Sequence, residues 1–145
     1  MNSSLIAVLT LALCGLLCRP AAATDYYIVV SESNATRTLS GQEVLHIFMG
    51  RTRSFPDGVP ATRYELADAT QRAGFYRTLA DMSLAQVTSY WARLMFSGRN
   101  LPPQQVQGEA ALLEKVRRDP HAITWLPAQS SAPGVRTVLV LRDGT

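Results

Sequence analysis

The chain is 145 residues long, 47% hydrophobic and 17% charged, a balance that excludes an intrinsically disordered protein and suits one globular domain. Its formal net charge is +3 with no long basic run, which excludes a dedicated nucleic-acid binder. Of the 14 basic residues only Lys115 is a lysine, and arginine suits bidentate contacts with anions.

Leu5 to Cys18 form an apolar run without charge, too short for a comfortable membrane span. Arg19-Pro20 breaks it, and Ala21-Ala22-Ala23 offers the small residues of a cleavage site. This is the layout of a secretory signal peptide, so residues 1–23 are expected to be a leader and 24–145 the domain. Both cysteines, Cys14 and Cys18, fall inside the leader, which leaves the domain without a disulfide or thiol chemistry. Leu13 and Leu17 precede them where a lipid anchor needs a small residue, which argues against a lipoprotein.

Asp25 to Val30, DYYIVV, is rich in β-formers and nearly continuous in apolar residues, as a strand covered on both faces is. Ser31 to Thr38 is a polar loop. It leads to a helix that Ser40 caps, with Glu43 completing a capping box. Val44, Leu45, Ile47 and Phe48 give that helix an apolar stripe, and Gly50 ends it. Phe55 is an isolated apolar anchor before the Pro56-Asp57-Gly58 turn.

A strand is expected from about Ala61 to Leu66, then a helix opening at Ala67 to Arg72, with Asp68 or Thr70 as its cap. Ser83 and Gln86 form a second capping box for a helix reaching about Phe96, closed by Gly98. Leu101-Pro102-Pro103 opens a loop. Gly108 to Arg118 reads as a further helix stopped at Asp119-Pro120, followed by strands at Ala122 to Leu126 and Val135 to Leu141. This order argues an α/β domain with a mixed sheet flanked by helices.

Several of these segments together resemble the phosphate-binding periplasmic proteins of ABC transporters. The similarity is greater to their short, single-lobe relatives. The resemblance rests on the Leu39-Ser40 helix start, the Ile47-Phe48-x-Gly50 end and the Phe55-x-Asp57-Gly58 turn. Tyr90-Trp91, Phe96-Ser97-Gly98 and the Pro120 to Leu126 stretch continue it in order. It implies one lobe of a type 2 periplasmic-binding-protein fold and a periplasmic location. It also implies an oxyanion held at helix N-termini, with Ser33, Asn34 and Thr36 in one loop and Thr70 and Arg72 at another helix start. Phe75 fits the same layout, but Ala69 stands where the family has glycine and Asp68 where it has serine. An ionised carboxylate there only accepts hydrogen bonds, so the resemblance covers the fold better than the ligand chemistry.

Enzymatic readings find little footing. His46 lies near an apolar stripe and His121 in a turn, and neither belongs to a spaced metal motif, a nucleophile elbow or a P-loop. Two functions remain open: a module that binds phosphate or a related oxyanion, and a non-transporting accessory protein that acts through a periplasmic protein partner or a homodimer. No cofactor or metal is expected with either.

Overall fold

The computed structural model describes residues 23–143. The expected leader lies outside the described residues but for Ala23. The elements run β1 (Tyr26–Ser31), α1 (Gly41–Phe48), β2 (Thr62–Leu66), α2 (Ala69–Ala80), α3 (Leu84–Phe96), β3 (Gln104–Val106), α4 (Glu109–Arg118), β4 (Ala122–Leu126) and β5 (Val135–Leu141). Every expected helix and strand is present. The addition is β3, three residues in a stretch expected to be loop.

The sheet has the order β3-β2-β4-β1-β5. β2 is parallel to β3 and β4, whereas β1 is antiparallel to both β4 and β5. Four strands therefore run one way and β1 alone runs the other. The crossover from β2 through α2 and α3 to β3 steps outward, and the one from β3 through α4 to β4 steps back. Right-handed crossovers place their helices on opposite faces of the sheet. All five positions of β4 are buried, as this double cover requires.

Short-range chemistry sets the helix ends. Ser40 with Glu43, and Ser83 with Gln86, form complete capping boxes. Gly50 and Gly98 follow their helices with φ of +66°, a conformation that costs glycine nothing. Asp81 ends α2 in the same left-handed region, at φ 51°.

The core centres on Phe75. Its ring stacks on Trp125 of β4 at 4.6 Å between centroids, and the edges of Tyr26, Phe48 and Tyr76 meet it at 5.7, 5.2 and 5.1 Å. Edge-to-face and stacked pairs at these distances add to the hydrophobic gain from burial. The Tyr90-Trp91 pair belongs to the packing as well: Trp91 is buried, and the Tyr90 hydroxyl donates to the Met49 carbonyl at 2.6 Å, docking α3 on the end of α1. Among the described residues no helix is long and apolar enough to cross a membrane.

Candidate anion site

The five residues expected to hold an oxyanion fall at two ends of the sheet. β1 ends at Ser31, beside the start of β4, because Val30 is opposite Ile123 in an antiparallel pair. β2 runs parallel to β4 with Thr62 opposite Ala122, so its end at Leu66 lies at the other edge of the sheet. The loop of Ser33, Asn34 and Thr36 is therefore separated from Thr70 and Arg72 by the length of the strands.

At the first end several of the loop's polar groups are engaged within the fold. The Ser33 hydroxyl lies 2.8 Å from that of Ser31. Asn34 is buried; its amide nitrogen donates to the Pro120 carbonyl at 2.8 Å and its oxygen accepts from the Thr36 N–H at 2.8 Å. The loop's carbonyls turn towards a cation instead: Arg136 of β5 donates to Glu32, Asn34 and Thr36 at 3.2, 2.6 and 3.1 Å. A ring of carbonyls around a guanidinium is the reverse of an anion cradle.

At the second end β2 and β3 both point their carboxyl ends at a cleft of about 290 Å³ between the starts of α2 and α4. Leu66, Asp68, Gln71, Gln107, Gly108 and Glu109 line it. A crevice at parallel strand ends, beside helix N-termini, is a favoured place for ligands in α/β sheets. Here the chain fills it with its own charge. Asp68 caps α2, accepting the Gln71 N–H at 2.8 Å, and so supplies the anion that the helix start attracts. Thr70 is exposed in the first turn.

Arg72 is held in the same way. Its Nε lies 2.7 Å from Oε1 of Glu65, whose side chain has no exposure, and the Tyr76 hydroxyl donates to Oε2 at 2.7 Å. With the Gln105 amide turned to accept, its oxygen lies 3.3 and 3.2 Å from the two terminal nitrogens of Arg72. Burial raises the Glu65 carboxyl above its ordinary range, against the opposing pull of Tyr76 and Arg72. Tyr76, buried beside this carboxylate, is pushed well above the usual phenol value, so it stays a donor.

His121 lies at the first end, in the turn that precedes β4, next to the Pro120 whose carbonyl Asn34 holds. His46, half-buried, lines a hollow of about 370 Å³ with Glu43, Thr52 and Phe55, and His121 is exposed. Among the described residues, no group of three or more His, Cys, Asp or Glu could hold a metal ion.

With this geometry in place, two solved structures are informative. One, described as a phosphate ABC transporter substrate-binding protein with bound phosphate from Clostridium perfringens, matches with a TM-score of 0.61 at 13% identity, over 80% of this chain and 44% of the other. The second, an ABC-type phosphate transport receptor from Vibrio cholerae, matches with a TM-score of 0.58 at 14% identity, over 80% and 46%. The chain has a solute-binding-protein fold. It spans less than half the length of either structure, so it corresponds to a part of that architecture. No protein-family model and no curated protein matches the sequence.

Within this solute-binding fold, Arg72 was legible as a candidate from the sequence and its partner Glu65 was not. A signal was present in Arg63-Tyr64-Glu65-Leu66. Strand alternation puts Tyr64 with Leu66 on one face and Arg63 with Glu65 on the other. Tyr64 indeed bonds to Asp119 beyond α4, while Glu65 bonds to α2.

Proposed function

We propose that this is an exported protein of the solute-binding fold in which the start of α2 no longer holds a bare oxyanion, and that it works as a periplasmic accessory domain recognising a partner protein. One observation carries the loss of the oxyanion: both cationic features at that end, the α2 terminus and Arg72, are bound by the chain's own carboxylates, Asp68 and Glu65. A phosphate there would have to displace or repel both. The fold similarity supports the solute-binding ancestry, and the apolar run with its small-residue end supports export.

The test is a titration of the protein with phosphate and sulfate, followed through the backbone amide NMR signals of Ala69 to Arg72. The expected result is no saturable change in the unaltered protein, with response appearing in Asp68→Ser, which keeps a capping side chain but removes the charge. Saturable shifts in the unaltered protein, lost in Arg72→Ala, would overturn the proposal and establish a one-lobe oxyanion binder.

A further inference from the structure

At the opposite end of β2 from Asp68, three arginines converge on a hollow that has no acidic lining. The hollow has a volume of about 440 Å³ and is lined by Arg53, Arg63 and Arg99 with Ala61, Met95, Gly98, Asn100 and Leu101. A second hollow of about 240 Å³ continues from it, sharing Ala61, Arg63 and Leu101. Among the described ion pairs, every carboxylate is held by another arginine: Glu65 by Arg72, Asp81 by Arg77, and Glu114 by Arg117 and Arg118.

Arg63 is the built part of this site. Its guanidinium donates to the carbonyls of Ile47 and Leu101 at 3.4 and 2.9 Å and to the Asn100 side chain at 3.0 Å, and lies 5.3 Å from the Trp91 ring centroid. These hydrogen-bond partners are neutral and fix the guanidinium, and the nearest carboxylate that acts on it, Glu65, is itself bonded to Arg72 and Tyr76. Gly50 makes the arrangement possible, because a Cβ there would meet Asn100 Nδ2 at 2.5 Å, Trp91 at 2.8 Å and Arg63 at 3.2 Å. Arg53 donates to the Arg99 carbonyl, which anchors the second cation at the rim. Burial lowers the Arg63 pKa and the charge of Arg53 adds to that effect, while Tyr76, Tyr90 and Glu65 oppose it.

Part of the wall is apolar, formed by Ala61, Met95 and Leu101. Met95 is 46% exposed and Leu101 69% exposed, which is costly surface for side chains that nothing covers. We propose that this hollow binds a small organic oxyanion, a phosphomonoester or carboxylate, with its charged head among Arg53, Arg63 and Arg99 and an apolar body against Met95 and Leu101. Guanidinium forks recognise the head through charge-assisted hydrogen bonds, and the body adds burial that inorganic phosphate cannot supply. The site stands independently of the α2 start, at the other end of the strand.

The test titrates the protein with phenyl phosphate, benzoate and inorganic phosphate, reading the amide signals of Gly98, Arg99 and Asn100 separately from those of Ala69 to Arg72. Saturable shifts at Gly98 to Asn100 are expected with phenyl phosphate or benzoate, the stronger one naming the head group. Inorganic phosphate should bind there about tenfold or more weakly, for want of an apolar body. The double variant Arg53→Ala/Arg99→Ala, altered at two exposed side chains, should lose about tenfold or more in affinity with unchanged melting. No saturation with either organic anion, equal affinity for inorganic phosphate, or indifference to the double variant overturns the proposal. Shifts confined to Ala69 to Arg72 would do the same, and would also count against the proposed function.

Discussion

The Nε of Arg72 lies 2.7 Å from a Glu65 oxygen that has no exposure to solvent, and this contact joins the first turns of α2 to the middle of the sheet. A buried carboxylate survives because its remaining oxygen takes the Tyr76 hydroxyl. Such a pair adds little net stability over an apolar pair, yet removing one partner is severe. Arg72→Ala should therefore destabilise the protein by about 3 to 5 kcal/mol, read from urea unfolding. The double change Arg72→Met/Glu65→Leu should recover most of that loss. A loss below about 1 kcal/mol for the single variant would show that the pair is effectively solvated.

Burial raises the Glu65 carboxyl above its ordinary 4.5 in the folded protein. The unfolded chain then gives up this proton more readily than the folded one. The group's favourable contribution is complete below about 4.5, falls as pH rises towards the folded value, and is flat beyond it. Unfolding midpoints measured across that window should show this fall, and Glu65→Gln should remove it. Because Arg72 opposes the shift, Arg72→Ala should widen the window upwards. A midpoint that instead rises with pH in the unaltered protein, and no longer does so in Glu65→Gln, would reverse the direction assigned here.

Gly74, inside α2, has the Tyr26 hydroxyl directly against it, and a Cβ at this position would overlap that oxygen. Alanine normally gains about 1 kcal/mol over glycine within a helix. Here the overlap should outweigh it, so Gly74→Ala should lose about 1 to 3 kcal/mol. In a Tyr26→Phe background the hydroxyl is gone and the same change should become neutral or stabilising. Melting temperatures of the four proteins in this cycle decide the point.

Asp81 ends α2 with φ of 51°, a left-handed conformation in a residue with a Cβ. That conformation costs about 1 to 2 kcal/mol for an ordinary residue and nothing for glycine. Its ion pair with Arg77, at 3.1 Å, is exposed on both sides and returns little. Asp81→Gly should raise the melting temperature, and Asp81→Val, β-branched and hostile to positive φ, should lower it. Equal melting of the two variants would show that the helix end relaxes.

The elements that were legible in the sequence share one property: their signals are local. Ser40 with Glu43 and Ser83 with Gln86 act across one turn, and Tyr26 to Val30 declares itself by unbroken β-branched and aromatic residues. β3 was missed because three residues carry no period, and Gln104 and Gln105 become strand only by pairing with Tyr64 and Glu65. Asp68 was legible as a cap, and its conflict with a bound anion followed from its charge alone.

Which of these residues meet depends on long-range pairing. The segments Ser33 to Thr36 and Thr70 to Arg72 both precede or open helices, and sequence order brings either to a helix start. Their separation follows from β1 entering the sheet antiparallel to β4 while β2 enters parallel. The burial of Glu65 beneath α2, and the approach of Arg53, Arg63 and Arg99, likewise depend on the strand order and the crossover hand. Capping and periodicity act over a few residues, so the elements follow from local chemistry. Strand direction and pairing are settled by burial of the whole sheet between helices, so only the folded chain determined its sites.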